Sequence, residues 1–238
     1  MDLGIADRVA VVTAASRGLG RASAVALAAA GVKLVVNARS AEQLEQLRAE
    51  TGAEVEIVPG DLGDDHLPDL LVERAVDRFG RLDIVIANNA GPPPGGAFDV
   101  TDEQILDAVN TTVLPAIRLV RAARPLLVAQ GWGRVCLIAS GSARQPMDNL
   151  VLSNTARPAS WGWAKTAANE LAGSGVTLNL VCPGLHKTAR AVELGRQDRP
   201  YAGDPADFGH IVAFLCSRHT SFMTGSAVVV DGGRIQGL

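Results

Sequence analysis

The chain is 238 residues long, 47% hydrophobic, and carries a formal net charge of −3 at pH 7. This length supports one large domain or two small ones with a buried core, and the near-neutral charge excludes a basic surface that binds nucleic acid. The N-terminal segment lacks the basic and apolar runs of a signal peptide, and no apolar stretch is long enough to span a bilayer. We therefore expect a cytoplasmic protein with no nucleic-acid or membrane partner.

Short runs rich in Val, Ile and Leu alternate along the chain with longer segments of helical composition. The runs predict strands buried on both faces of a parallel sheet, at 8–13, 32–37, 54–58, 82–87, 133–139, 176–181 and 226–230. The intervening segments predict helices at about 18–30, 41–51, 66–79, 101–129, 150–173 and 205–217. This alternation predicts one α/β domain over 1–238, a doubly wound Rossmann-type three-layer sandwich of about seven parallel strands with helices on both faces.

Helix starts carry recognisable capping signals. Ser40 with Gln43, and Thr101 with Gln104, match capping boxes, and the pair Asp204-Pro205 offers an N-cap followed by a proline at the first helical position. Cysteines and histidines show no metal-ligand spacing, and Cys136, Cys182 and Cys216 lie in apolar runs typical of buried reduced thiols. We therefore predict no metal site.

The turn after the first predicted strand is rich in small residues. It reads Thr13-Ala14-Ala15-Ser16-Arg17-Gly18-Leu19-Gly20 and leads directly into an alanine-rich helix. Glycines let a pyrophosphate approach the backbone, and the N-terminus of a helix offers unpaired N–H groups and a positive dipole end. A dinucleotide site is therefore one interpretation, although Gly-x-Gly alone often marks only a turn.

The end of the second predicted strand bears on the choice of cofactor. Proteins that bind NAD usually place an acid there for the ribose 2′-hydroxyl, but this chain has Asn37-Ala38-Arg39-Ser40 and no acid before Glu42. Arg39 and Arg17 can instead converge on a 2′-phosphate through charge-assisted bonds. The sequence therefore predicts NADP(H), the alternative being two solvated surface arginines.

Over essentially its full length the sequence resembles the short-chain dehydrogenase/reductase family, and most nearly its oxoacyl-carrier-protein reductase-like members. The turn resembles the family's T-G-x-x-x-G-x-G, with Ala14 in place of the first glycine, Asn88 to Gly91 matches N-N-A-G, and Pro183 to Thr188 resembles P-G-x-x-x-T. The resemblance implies cofactor contacts from Thr13, Ser16, Arg17, Gly18, Leu19, Gly20, Arg39, Asp61, Leu62, Asn89, Ala90, Gly91, Arg157, Pro183, Gly184, Leu185 and Thr188.

The catalytic pattern of the family is only partly present. The resemblance places Asn110 and Ser140 at its catalytic asparagine and substrate-orienting serine. Its Y-x-x-x-K pair is expected 13 residues after the serine, where the sequence reads Ser153-Asn154-Thr155-Ala156-Arg157. Downstream residues keep the family spacing, and the single tyrosine of the chain, Tyr201, lies outside this helix. Ser153 and Arg157 therefore stand in place of tyrosine and lysine.

The replacement of tyrosine and lysine by Ser153 and Arg157 affects proton transfer more than cofactor binding. Arg157 can still donate to the nicotinamide ribose, but an arginine stays protonated and cannot relay a proton. Ser153 is too short to reach where a tyrosine hydroxyl would act. The remaining candidate donors are His186 beside the nicotinamide, Ser140, Ser142, Tyr201, or a water held by Ser153. The alternative for His186 is a solvent-facing loop histidine.

The residues leave three functions open. The first, which we favour because Asn110 and Ser140 would be unneeded in a pure binder, is an NADP(H)-dependent oxidoreductase of a carbonyl/alcohol pair with an atypical proton donor. The others are a non-redox enzyme and a nucleotide-binding subunit without catalysis. The segment 189–203 is predicted as a lid over a small-molecule substrate. The apolar residues of the 101–129 and 150–173 helices, which the family uses for subunit contacts, predict a homo-oligomer, either a dimer or a homotetramer.

Overall fold

The fold is built on one seven-stranded parallel sheet in a computed structural model that describes residues 1–196 and 201–237. The strand order is β3-β2-β1-β4-β5-β6-β7. In chain order the strands are β1 Val9–Val12, β2 Lys33–Ala38, β3 Val55–Pro59, β4 Ile84–Ala87, β5 Gly133–Ile138, β6 Val176–Pro183 and β7 Ala227–Val230. The predicted Rossmann-type fold is confirmed, because every predicted strand is present and pairs in parallel with its neighbours.

Helices cover both faces of the sheet. They are α1 Gly18–Ala29, α2 Ala41–Thr51, α3 Leu67–Phe79, α4 Asp102–Thr112, α5 Leu114–Ala129, α6 Val151–Glu170, α7 Ala189–Glu193 and α8 Pro205–Leu215. One apolar core lies beneath α3, α5 and α6, and a second lies beneath α1, α2 and α8. None of the helices in the described part of the chain combines the length and apolar character needed to cross a membrane.

The single helix predicted over 101–129 is wrong. The chain forms two helices that meet at Val113, and Pro115 lies in the first turn of the second one. A proline has no N–H with which to continue the helical ladder from Thr111, and it disfavours helical backbone in the residue before it. Pro125, by contrast, lies inside α5. The break matters because it ends α4 at Thr112, close to the carboxyl end of β4.

The side chains predicted to cap the N-termini of α2, α4 and α8 do so in the structure. Thr101 accepts a hydrogen bond from Gln104 N at 3.3 Å, and the Gln104 side chain accepts one from Thr101 N at 2.9 Å, which completes the predicted box. At α2 only the first half forms, since Ser40 accepts from Gln43 N at 3.3 Å. Asp204 caps α8 by accepting from Ala206 N at 2.8 Å. These caps fix where each helix begins at the edge of the sheet.

Candidate active site

The turn between β1 and α1 is held tightly against the end of β4. Thr13 Oγ1 donates to Asn88 O at 2.7 Å and accepts from Asn88 N at 2.9 Å. Ala14 lies at a φ of 46°, a left-handed conformation that suits the glycine the family has there. A β-carbon on Gly20 would lie only 2.4 Å from Ala14 O, so only glycine lets α1 approach the turn. The chain therefore enters α1 along a fixed path.

The N-terminus of α1 opens at the carboxyl edge of the sheet without an acidic side chain in its first turn. Ser16 and Leu19 are half-buried beside it, and Gly18 has a φ of 60°. The Thr188 methyl group lies 3.7 Å from where a β-carbon of Gly18 would stand. The positive end of this helix therefore lies at the carboxyl edge of the sheet, where an open parallel sheet forms its ligand crevice, and it suits an anion.

Two exposed arginines flank this crevice. Arg39 follows the last residue of β2, and no carboxylate lies within salt-bridge distance of it in residues 1–196 and 201–237. Arg17 Nη2 lies 3.6 Å from Glu193 Oε1 of α7, with 59% of the arginine side chain exposed. Both guanidiniums are thus accessible to a ligand. Arg17 would have to leave its contact with Glu193 to bind one, whereas Arg39 has no such contact within the described residues.

Asp61 and Leu62 lie after the end of β3, next to the end of β2. Asp61 is exposed and accepts a hydrogen bond from Gly63 N at 2.9 Å, while Leu62 is half-buried against the core under α3. Asn37 of β2 donates to Val58 O at 2.9 Å and so ties these two strand ends together. The predicted adenine contacts therefore share the edge that carries Arg39.

The end of α4 bears on the role predicted for Asn110. Asn110 is exposed on α4, and its side chain makes no hydrogen bond within the described residues. The residue that reaches the sheet edge is Thr112, which is buried and whose carbonyl, freed at the end of α4, accepts from Asn89 Nδ2 at 2.7 Å. Sequence reasoning missed Thr112, because its role depends on where the proline ends the helix.

Three serines cluster at the end of β5. Ser140 accepts a hydrogen bond from Ser142 N at 3.2 Å and begins the short 3-10 turn Gly141–Ala143. The hydroxyl oxygens of Ser142 and Ser153 lie 2.8 Å apart, and both side chains are buried. Ser153 is therefore bonded inward to Ser142, whereas Ser140 is a half-buried residue that follows the end of β5.

Arg157 lies one turn after Ser153 on the same face of α6. The residue is only 4% exposed; its Nη1 donates to Ile138 O at 3.2 Å and its Nη2 to Ala90 O at 3.5 Å. The Nε atom is buried without a partner among the described residues. Burial lowers the pKa of the guanidinium to about 10, so the side chain stays cationic at neutral pH. Arg157 thus places a fixed positive charge across the ends of β4 and β5.

His186 is buried, so the interpretation as a solvent-facing histidine is wrong. The residue is 6% exposed, and its ring meets Phe208 of α8 edge to face at 5.2 Å. Its Nδ1 lies 3.2 Å from Gly184 O. Burial lowers the pKa of the imidazole, against smaller opposing effects from the Gly184 carbonyl and the Asp204 and Asp207 carboxylates. His186 therefore packs toward α8 as a neutral side chain.

This burial predicts a dependence of stability on pH. Because the pKa of His186 is lower in the folded chain than its unfolded value of about 6.5, the unfolded chain takes up the proton first as the pH falls. The contribution of the neutral, buried His186 to the free energy of unfolding is therefore present above about pH 6.5 and is lost below it. We expect the free energy of unfolding to fall less steeply with acid in His186→Leu than in the wild type. Urea denaturation from pH 8 to pH 5 measures both slopes, and equal slopes would contradict the assignment.

The segment after β6 needs a glycine at position 184. A β-carbon there would lie 2.6 Å from Asp231 Cα, and Gly184 N donates to Val230 O at 2.9 Å. Pro183 ends β6 as a buried residue, and Leu185 is half-buried beside the crevice. The P-G segment is therefore fixed against β7 at the carboxyl edge of the sheet.

The predicted lid begins with the short helix α7. Arg190 Nη2 donates to Pro92 O at 2.6 Å and Nη1 to Glu193 Oε2 at 3.1 Å, so α7 is tied to the loop after β4. Residues 197–200 of the predicted lid lie outside the described residues. Tyr201 is 48% exposed, with the Arg234 guanidinium 4.9 Å from its ring centre. This tyrosine therefore packs beside a surface arginine.

The sequence comparisons with known proteins all find dehydrogenases or reductases. The family model described as enoyl-(acyl carrier protein) reductase matches residues 13–234. "Dehydrogenase/reductase SDR family member 4" of Sus scrofa is 32% identical over 242 residues, which are 95% of this chain and 87% of the relative. A 3-oxoacyl-[acyl-carrier-protein] reductase of Synechocystis is 32% identical over 96% of this chain and 97% of its own.

A solved structure agrees with these sequence relatives. L-sorbose reductase of Gluconobacter frateurii, complexed with NADPH and L-sorbose, has a TM-score of 0.92 and 29% identity, and the match covers 100% of both chains. Its fold is therefore that of the present chain from end to end.

Proposed function

The chain belongs to the short-chain dehydrogenase/reductase family, and from this premise we propose that it is an NADP(H)-dependent oxidoreductase of small carbonyl compounds. One observation carries the proposal. Arg157 Nε and Asn89 Oδ1 are buried without partners in the described chain, one a donor and the other an acceptor. Asn89 follows β4, and the Arg157 guanidinium reaches the ends of β4 and β5 from α6. Buried polar atoms are normally bonded, so a ligand that both donates and accepts hydrogen bonds fits this place.

The hydroxyls of the nicotinamide ribose have this dual character, and the rest of the edge suits the remaining parts of the dinucleotide. The N-terminus of α1 fits the pyrophosphate, and Arg17 with Arg39 fits the 2′-phosphate. NADP(H) supplies or takes up a hydride when bound. The other residues proposed to hold it are Thr13, Ser16, Gly18, Leu19, Gly20, Asp61, Leu62, Ala90, Gly91, Pro183, Gly184, Leu185 and Thr188.

In the proposed mechanism the protein orients the substrate more than it moves protons. The hydroxyl of Ser140 would donate to a substrate oxygen, and the cationic Arg157 would favour negative charge there. Ser153 bonds to Ser142 and holds the turn after β5 in place. The lack of a positioned acid costs about 10²–10⁴ in rate for ordinary carbonyl reduction. We therefore expect turnover of plain ketones to be slow.

The second candidate is a nucleotide-binding subunit or a non-redox enzyme on the same fold. It is favoured by the inward hydrogen bond of Ser153 and by the position of Asn110 on the exposed face of α4. Titration of NADPH by fluorescence, followed by measurement of NADPH oxidation with a panel of carbonyl compounds, tests both candidates. Binding with substrate-dependent oxidation supports the oxidoreductase, binding alone supports the subunit, and no binding contradicts both.

We also propose that the chain forms a dimer or tetramer. Large apolar side chains are exposed on α4 and α5, including Leu106 at 63%, and Trp161 and Trp163 of α6 are half-buried. Isologous contacts between such helices would cover this surface. Light scattering at micromolar concentration is expected to give a multiple of the monomer mass, and a monomer would contradict this proposal.

A further inference from the structure

The segment that follows β7 folds back onto the loop after β5. Gly232 and Gly233 have φ values of 67° and 81°, a left-handed conformation that glycine adopts without strain. The Asp231 carboxylate accepts hydrogen bonds from Gly233 N at 2.8 Å and from Ile235 N at 2.7 Å. This turn therefore fixes the direction of the main chain at Ile235.

Two further contacts hold this C-terminal segment in place. Gln145 Oε1, in the loop after β5, accepts a hydrogen bond from Gln236 N at 2.9 Å, although the two residues are 91 positions apart. The Arg234 guanidinium lies 4.9 Å from the ring centre of Tyr201 in the predicted lid. The segment is therefore attached both to the loop after β5 and to the lid.

Ile235 is turned inward, unlike its neighbours. It is half-buried, whereas the other residues of 232–237 are exposed. Ile235 Cδ1 and Pro183 O each lie 3.5 Å from where a β-carbon of Gly141 would stand. Met147 Cε lies 2.6 Å from the same point. Two apolar side chains, one from the C-terminal segment and one from the loop after β5, therefore meet at Gly141.

Gly141 lies at the part of the proposed site that faces the substrate. It directly follows Ser140, whose hydroxyl is proposed to donate to the substrate oxygen, and it lies beside Pro183, which is proposed to hold NADP(H). Ile235 and Met147 are both half-buried, so each presents some apolar surface to a ligand. Gly141 adds no side chain that would cover this surface.

We propose that Ile235 and Met147 form an apolar wall of the substrate site and select carbonyl compounds by the size of their aliphatic groups. This inference rests on the proposed oxidoreductase function. A charged substituent would lose its hydration at such a wall without gaining a partner, so the wall favours aliphatic ones. Gln145 acts as a positioning residue, because it holds Ile235 in place through the main chain of Gln236.

The binding of two alcohols tests the wall without turnover. Cyclohexanol and 4-isopropylcyclohexanol resemble reduction products, and neither reacts once the protein is saturated with NADPH. Ligand-observed NMR titration measures the dissociation constant of each. Ile235→Ala removes three carbons, the number in an isopropyl group, so the larger alcohol is expected to gain about tenfold in affinity relative to cyclohexanol. Met147→Ala is expected to shift this ratio in the same direction.

The matched control for these variants is Val76→Ala, which shortens a partly exposed aliphatic side chain on α3. The control is expected to keep the wild-type ratio of the two dissociation constants. An unchanged ratio in both Ile235→Ala and Met147→Ala, or an equal shift in the control, would overturn the proposal. Failure of both alcohols to bind would overturn it as well.

Two variants of Gln145 test its positioning role. Gln145→Leu removes the acceptor for Gln236 N, so the wall is expected to loosen and the ratio to shift as in Ile235→Ala. Gln145→Glu keeps an acceptor oxygen and is expected to retain most of the wild-type ratio. An equal shift in both variants, or in neither, would contradict this role.

A turnover experiment separates the wall from the proposed function. NADPH oxidation with cyclohexanone and with 4-isopropylcyclohexanone gives kcat/KM for each ketone, and Ile235→Ala is expected to shift their ratio about tenfold toward the larger one. Turnover with an unchanged ratio would overturn the wall and leave the oxidoreductase standing. No turnover of either ketone, together with the shifted ratio for the alcohols, would count against the oxidoreductase and support the wall as part of a binding site.

Discussion

The double variant Ser153→Tyr with Arg157→Lys is expected to raise turnover of saturated ketones by about 100-fold. The tyrosine restores a hydroxyl with enough reach to protonate an alkoxide, and the lysine lowers the pKa of that hydroxyl from one helical turn away. Both positions lie on the same face of α6 at the end of β5, so the new pair faces the half-exposed Ser140. Initial rates of NADPH oxidation with cyclohexanone measure the gain.

The single variants serve as controls for this prediction. Ser153→Tyr alone keeps the arginine, and Arg157→Lys alone lacks the hydroxyl, so each is expected to recover much less than the pair. A double variant that is folded, binds NADPH and gains nothing on ketones would show that the missing acid does not limit the wild type.

NADPH is expected to bind about 30-fold more tightly than NADH, a difference of about 2 kcal/mol. Arg17 and Arg39 flank the crevice, and the end of β2 carries no carboxylate for a ribose hydroxyl. The expected difference is modest because both arginines are exposed, and solvent weakens charge-assisted bonds at such positions. Fluorescence titration with each cofactor measures the difference.

Arg39→Ala is expected to remove most of this preference while leaving the affinity for NADH nearly unchanged. Arg48→Ala is the matched control, because Arg48 is an exposed arginine on α2 whose guanidinium pairs with Glu45. Equal affinity of the wild type for the two cofactors, or a preference for NADH, would contradict the role assigned to the two arginines.

The sheet could be predicted because its signals are local. The five inner strands are short apolar runs such as Val9 to Val12, and they are buried as the sequence predicts. The prediction of burial on both faces is wrong for the edge strands β3 and β7, which are only partly buried because each has a neighbouring strand on one side alone. The helix caps at Thr101 and Asp204 were equally readable, since a capping side chain and the N–H that it binds lie within three residues of each other.

The site was less predictable because its contacts join distant parts of the chain. The interruption at Val113 depends on Pro115 and decides that Thr112, and not Asn110, meets Asn89. Nothing near His186 in the sequence indicates that its ring lies against Phe208 of α8. The contact of Arg190 with Pro92 joins residues 98 positions apart. Such pairings follow from the order of strands in the sheet.

A crystal structure with NADPH bound would decide whether the site binds the cofactor without supplying a proton. It is expected to place the nicotinamide ribose against Arg157 Nε and Asn89 Oδ1, with the Ser140 hydroxyl facing the open side of the nicotinamide and with His186 still packed on Phe208. A dinucleotide bound elsewhere would contradict this assignment. So would a His186 imidazole or Tyr201 hydroxyl turned to within hydrogen-bonding distance of the substrate position, because either would supply the proton that the site is proposed to lack.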